Sequence, residues 1–197
     1  MRITSLLPDD EVAIVQTARL LVDGFKQYWP DAWPTIEIAL VEVRQSFGPG
    51  RISRIAVDDS ATVLGWVGGI SQYDGHVWEL HPLVVHGAHR RQGIGRALVA
   101  DLEAQVRMQG GQTLWLGTDD EAGMTSLGGI NLYPDVLGHL QAIRNLRGHP
   151  YEFYQKLGFA IVGVLPDANG PGKPDIYMAK SVVKGVGSKL NSSPFTN

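Results

Sequence analysis

The chain has 197 residues, 44% hydrophobic and 19% charged, which is enough to bury the core of one globular domain. It contains no cysteine, so disulfides, thiolate metal sites and a cysteine nucleophile are excluded. A formal net charge of −3 speaks against nucleic acid, which selects a basic face, and leaves cationic substrates open.

The N-terminal residues Met1–Glu11 lack a basic segment leading into a long apolar one, and no run approaches the roughly 18 apolar residues of a membrane span. Neither a membrane partner nor a secretory leader is expected, and the cytoplasm is the expected location. Arg2–Leu7 reads as an edge strand stopped by Pro8. Asp9 and Asp10 stand where a helix wants its acidic cap, and Val12–Tyr28 follows with Ile14, Ala18, Leu21, Val22 and Phe25 at helical spacing. Pro30 and Pro34 break that helix and carry Trp29 and Trp33 in a loop, where each tryptophan either packs on the core or walls a pocket. Thr35–Gln45 reads as a second helix with Ile36, Leu40 and Val43 inward.

Arg51–Asp58 and Thr62–Ser71 are β-branched apolar runs joined by a turn, a hairpin signal, and Gly65, Gly68 and Gly69 mark a bend or a close backbone approach. The turn Tyr73–His76 leads to a central strand, Val77–His86. A helix over Ile94–Gln109 has Ile94, Leu98, Leu102 and Val106 inward and Asp101, Glu103 and Arg107 outward, and Gly110–Gly111 closes it. Thr113–Thr118 is a buried strand closed by Asp119 and Asp120; Glu121–Pro134 is irregular; Val136–Leu146 looks helical. Pro150 opens a short helix, Tyr151–Leu157, closed by Gly158, and Phe159–Leu165 and Asp175–Val183 are the last strands. One domain is expected over residues 1–183, with 184–197 as a disordered Gly/Ser/Asn-rich tail.

The chemistry concentrates between Val77 and Leu98. A strand, a turn of Arg90, Arg91, Gln92, Gly93, Ile94 and Gly95, and a helix start place unpaired amides and the positive end of a helix dipole together. Such a turn is either an ordinary tight connection or a phosphate grip. It lacks the third glycine and downstream acid of a dinucleotide fold and the Gly-Lys-Ser/Thr of a Walker loop. On the strand before it, residues two apart share a face, so Val77, Glu79, His81, Leu83 and Val85 are expected to point one way and Trp78, Leu80 and Val84 the other. A Glu and a His on an apolar strand either satisfy one another or face a substrate. Asp119, Asp120 and Asp175 at strand ends, with Asp135 and Glu152 nearby, read either as caps and turns or as an acidic cleft. The six histidines show no metal-ligand spacing, so no metal is assigned, and no serine sits in a nucleophile elbow.

Arg90–Gly95 on a strand–turn–helix resembles the acyl-CoA pyrophosphate loop of the GNAT superfamily of N-acetyltransferases. The blocks Trp78–Val85, Leu116–Asp120, His149–Gly158 and Lys173–Ile176 resemble the aminoglycoside 6′-N-acetyltransferases of the chromosomal, enterococcal kind, over about Ile3–Val183. The resemblance implies a GNAT fold, α/β (α+β), with a mixed, mostly antiparallel central sheet flanked by helices and central strands splayed into an acyl-CoA cleft. It implies acetyl transfer from acetyl-CoA to an aminoglycoside 6′-amine, antibiotic resistance, and a homodimer. Glu79 would assist amine deprotonation directly or through water, the Leu83 amide would hold the oxyanion, and Tyr154 would protonate the departing thiolate. Acetyl-CoA would lie along Leu83, Val84 and Val85 and on Arg90, Arg91, Gln92, Gly93, Ile94, Gly95 and Arg96. The aminoglycoside would meet Trp29, Tyr73, Glu79, His81, Asp119, Asp120 and Asp175. A GNAT enzyme for a polyamine or peptide amine, and a non-catalytic acyl-CoA-binding module, are the competing readings.

Overall fold

The computed structural model describes residues 1–183, so the tail expected over 184–197 lies outside the described residues. Its elements are β1 (Arg2–Ser5), α1 (Glu11–Phe25), α2 (Ile36–Gln45), β2 (Arg51–Val57), β3 (Val63–Gln72), β4 (Val77–Val85), α3 (Ile94–Met108), β5 (Thr113–Asp119), α4 (Val136–Gln141), α5 (Tyr151–Gln155), β6 (Ala160–Leu165) and β7 (Asp175–Ser181). Seven strands form one sheet in the order β1-β2-β3-β4-β5-β7-β6. Every pairing is antiparallel except β4 with β5. This is the mixed, mostly antiparallel sheet expected from the sequence.

The local signals act where they were read. The Asp10 carboxylate accepts from the Ala13 N–H at 3.0 Å and the Thr35 hydroxyl from the Ile38 N–H at 3.4 Å, satisfying orphan donors at the starts of α1 and α2. Gly110 at φ 81° turns the chain out of α3, and the Gly111 N–H reaches back to the Val106 carbonyl at 2.9 Å. Helices α3 and α5 end a residue or two earlier than expected, and α1 and α4 by more. Pro30 disfavours helical geometry at Trp29, and α1 unwinds after Phe25 instead of running to Tyr28. The helix expected over Val136–Leu146 stops at Gln141, because the following segment turns back on an earlier loop. There Ser126 N–H bonds the Arg144 carbonyl at 3.0 Å and Leu146 N–H bonds the Met124 carbonyl at 2.9 Å.

The sheet has a core on each face. Trp78, Leu80, Leu114, Leu116, Ile176 and Met178 pack with Leu98, Leu102 and Val106 of α3. Trp66 and Val84 pack on the other face with Ile14 and Leu21 of α1 and Val43 of α2. That second cluster draws on β2, β3 and β4 and takes no member from β5 or β7, so on this face α1 and α2 leave the far half of the sheet open. Asp101 and Glu103, expected to point outward from α3, are instead partly buried in ion pairs. Asp101 Oδ2 meets Arg54 Nε at 2.6 Å and Glu103 Oε1 meets Lys180 Nζ at 2.7 Å, fastening α3 to β2 and β7.

Strand β4 carries a bulge. Gly69 pairs with Leu80 and Val67 with Leu83, so His81 and Pro82 together oppose Gly68 alone. A Cβ at Gly68 would sit 2.2 Å from the His81 carbonyl oxygen, which explains a glycine there. The extra residue reverses the faces of the strand. Trp78 and Leu80 face α3, but beyond the bulge Val84 faces α1 while Leu83 and Val85 pack toward α3. The single shared face expected for Glu79, His81, Leu83 and Val85 is therefore corrected: Glu79 lies opposite Trp78, and Leu83 and Val85 lie on the other side of the sheet. Gly68→Ala should cost about 2 kcal/mol by forcing β3 and β4 apart, measured as a fall of several degrees in Tm. An unchanged Tm would mean that the bulge relaxes freely.

Candidate active site

Strands β4 and β5 pair only from Val77 with Thr113 to Glu79 with Trp115. Both continue, β4 to Val85 and β5 to Asp119, without meeting again. The sheet therefore opens into a gap that begins at Glu79. The His86 N–H donates to the Leu64 carbonyl on β3 at 2.8 Å, so the peptide groups of alternate residues behind it also face β3. Those of Leu83 and Val85 consequently lie on the open edge, where Arg90 Nε reaches the Val85 carbonyl at 3.5 Å. Val84 does not join them: its side chain is buried against α1 and its peptide faces β3.

At the far end of β4 the Arg/Gly turn leads into α3. Arg91 and Gly93 take positive φ, 63° and 86°, and the N–H groups of Gln92, Gly93, Ile94, Gly95 and Arg96 find no acceptor among the described residues. Five consecutive free amides at a helix N-terminus form a cradle for a diphosphate. A side chain at Gly95 would meet the Phe153 ring at 3.3 Å, so glycine lets α5 close against the start of α3. Arg91 and Arg96 are exposed and free to add charge. Arg90 is held differently, because its guanidinium also bonds the Gly24 carbonyl at 3.2 Å and ties the turn to α1.

On the uncovered face, the side chains of Glu79, Trp115, Asp119, Asp175 and Tyr177 all lie opposite the α3 core, following the strand alternation, with Gly117 leaving space between Trp115 and Asp119. Asp119 and Asp175 are direct cross-strand partners. Asp175 lies over Gly117, where a Cβ would come 2.5 Å from its Oδ2, and its Oδ1 is buried without a hydrogen-bond partner. Burial above all, with the charges of Asp119 and Glu79 added, pushes the Asp175 carboxyl up to about 7. Asp119 accepts from the Asn169 side-chain amide of the β6–β7 loop. Among the described residues no lysine, arginine or histidine pairs with Glu79, Asp119 or Asp175. His81, at the bulge, points toward α2, with Nε2 3.8 Å from Glu42 Oε1 and its ring 6.0 Å from that of Trp33. Trp33 is core; Trp29 is half-buried beside Phe25 and Tyr28, with its indole N–H buried and unpaired.

The core on the α3 side of the sheet holds Tyr154. It is buried between Phe153 and Phe159, with edge-on ring contacts at 5.1 and 5.7 Å, and burial pushes its hydroxyl well above the usual tyrosine range. It is protonated at any working pH. His149 holds this helix to β5. Only 2% exposed, it accepts from the Tyr151 N–H through Nδ1 at 3.2 Å, which leaves Nε2 to donate to the Asp119 carbonyl at 3.1 Å.

Three expected substrate or cofactor contacts are not brought together with the rest. Asp120 is 1% exposed, and its carboxylate accepts from the Met124 and Thr125 N–H groups and from the Thr125 hydroxyl, so it clasps the following loop. Tyr73 is 76% exposed on the β3–β4 turn, at the end where β4 and β5 still pair. Val84 is the third. Asp135 likewise serves as the N-cap of α4, accepting from the Gly138 N–H at 3.2 Å. The sequence reading passed over Gln72, Trp115 and Tyr177, which flank Glu79 and Asp175, and Glu42 and His149. Strand alternation with Glu79 and Asp175 was the available signal for Trp115 and Tyr177.

The family model for the acetyltransferase (GNAT) family matches residues 16–138. The fold is similar to a crystal structure of an aminoglycoside 6′-N-acetyltransferase complexed with coenzyme A, at 42% identity and a TM-score of 0.84, over 93% of this chain and 98% of that one. It is similar to the aminoglycoside 6′-N-acetyltransferase from Enterococcus faecium at 42% identity and a TM-score of 0.82, with 93% and 98% covered. An aminoglycoside 6′-acetyltransferase type Ii matches at 38% identity and a TM-score of 0.69, with the same coverage of 93% and 98%. No curated protein sequence matches the chain.

Asp175 makes stability depend on pH in a defined direction. Its carboxyl has the ordinary value of 3.8 when unfolded and is pushed up to about 7 when folded, so between those values the folded chain keeps a proton that the unfolded chain has lost. Its contribution is full below pH 4 and is lost as pH rises to about 7. Denaturation midpoints at pH 5 and pH 8 should show wild type losing stability relative to Asp175→Asn at the higher pH. Parallel behaviour of the two proteins would remove Asp175 from this role.

Proposed function

The chain belongs to the acetyltransferase (GNAT) family, and from that premise we propose that it acetylates the 6′-amine of aminoglycosides with acetyl-CoA. The observation that carries the substrate assignment is the group Glu79, Asp119 and Asp175, carboxylates without a protein cation, facing one mouth of a gap whose other face holds a diphosphate cradle. A polyammonium substrate supplies the missing charge and is steered to that mouth. It also draws the proton from Asp175, because an adjacent ammonium favours the carboxylate.

In this proposal acetyl-CoA lies along the open edge of β4, with its diphosphate on the amides of Gln92–Arg96 and its thioester at Leu83. The acceptor nitrogen approaches from the opposite face and attacks the thioester carbon. Glu79 takes the amine proton, directly or through one water, and the oxyanion meets the Leu83 N–H. The carbon–sulfur bond then breaks, and Tyr154, whose raised pKa keeps it protonated, returns a proton to the thiolate. Without cysteine no thioester enzyme intermediate is expected, and positioning with oxyanion stabilisation supplies most of the acceleration.

The proposal extends to antibiotic resistance as the phenotype, a homodimer as the assembly, the cytoplasm as the location, and one catalytic domain over residues 1–183. Neither nucleic acid nor membrane enters it; no helix of the described residues is long and apolar enough to cross a membrane. No group of acidic or histidine side chains among the described residues has metal-site geometry, and no step uses a metal.

Thiol release from acetyl-CoA should be rapid with kanamycin and absent with an analogue carrying a 6′-hydroxyl; equal rates would refute the regiochemistry. Tyr154→Phe should lower kcat at least tenfold while acetyl-CoA affinity stays nearly constant, given the roughly 10²–10⁴ contributed by a positioned acid. Unaltered turnover would remove Tyr154 from the mechanism.

A further inference from the structure

We propose that Gln72 and Trp115 form a positioning relay that presents one chosen oxygen of Glu79 to the acceptor amine. The three residues stand on adjacent strands β3, β4 and β5: Glu79 and Trp115 form the last pair before β4 and β5 part, and Gln72, opposite Val77, reaches Glu79 on the diagonal. Trp115 Nε1 lies 3.0 Å from Gln72 Oε1, and Gln72 Nε2 lies 2.7 Å from Glu79 Oε2. An indole N–H only donates, so it selects the carbonyl end of the Gln72 carboxamide. The amide end must then face Glu79. Without Trp115 the carboxamide is free to turn over and set its carbonyl against a carboxylate, which is repulsive. The indole is itself steadied by Tyr177, edge-on at 5.7 Å between ring centroids.

The consequence concerns the reacting carboxylate. A donor on Oε2 pins the Glu79 side chain and leaves Oε1 as the acceptor for the amine proton. Neither Gln72 nor Trp115 needs to touch the substrate; both act through Glu79. This inference rests on the role given to Glu79 above, and its test separates the two.

The spectroscopic arm needs no substrate. In ¹⁵N-labelled protein the Trp115 indole N–H should exchange slowly and shift in Gln72→Leu, and the Gln72 side-chain amide signals should shift in Glu79→Gln. The kinetic arm uses acetyl-CoA and kanamycin. Gln72→Leu should lower kcat roughly tenfold, the worth of one hydrogen bond to a charged group, with the KM for acetyl-CoA unchanged. Trp115→Phe should lower it no further than Gln72→Leu, and the double variant should match Gln72→Leu alone. In a Glu79→Ala background neither change should matter. Multiplicative losses in the double variant, losses that persist without Glu79, or an indole signal indifferent to Gln72 would each overturn the relay. If the wild-type protein does not turn over kanamycin, the substrate assignment fails by itself, and the spectroscopic arm still decides whether the relay exists.

Discussion

Strand β4 is held to β5 only from Val77 to Glu79, and the loss of that pairing creates an unpaired backbone edge inside a sheet. Such an edge costs free energy unless something hydrogen-bonds to it. The bulge at His81–Pro82, seated on Gly68, sends Leu83 and Val85 to the α3 face while Glu79 remains on the opposite one. In the proposed reaction this would keep an acyl donor running along the open edge and an acceptor approaching from beneath on separate sides, meeting where the strands part.

The two faces are also electrostatic opposites. The α3 side ends in free amides and the exposed Arg91 and Arg96, which suit a diphosphate. The other side carries Glu79, Asp119 and Asp175, where burial above all, with the neighbouring negative charges added, pushes the Asp175 carboxyl up to about 7. A carboxyl buried near like charges is poised to ionise when a cation arrives, so proton release accompanies cation binding. His149 joins the two sides by a ring bonded to the Asp119 carbonyl and to the first turn of the Tyr154 helix.

Most of the fold was legible because its signals are local. Asp10 and Thr35 cap their helices, glycines end them, and β-branched runs form strands. The misreadings come from interactions between segments distant in sequence. The segment after Gln141 abandons its helix for bonds to Met124 and Ser126, and Asp101 and Glu103 turn inward because Arg54 and Lys180 arrive from β2 and β7. The strict two-residue period that grouped Glu79 with Leu83 and Val85 fails at a bulge whose only trace in the sequence is Gly68 opposite Pro82. Within the site, the Arg/Gly turn and Glu79 were visible as motifs and as polar residues on an apolar strand. Asp120 was indistinguishable from Asp119 in sequence, although its carboxylate is consumed by the Met124–Thr125 backbone. Gln72 carries no signal of its own, since its role exists only through Trp115 and Glu79.

Hydrogen exchange along β4 tests most directly whether the parted strands form the acyl-donor site. In the free protein the Leu83 and Val85 amides should exchange fast and those of Val84 and His86, paired to β3, slowly. Saturating acetyl-CoA should protect Leu83, Val85 and the amides of Gln92–Arg96 together. A Leu83 amide already protected in the free protein, or unprotected in the complex, would contradict the account.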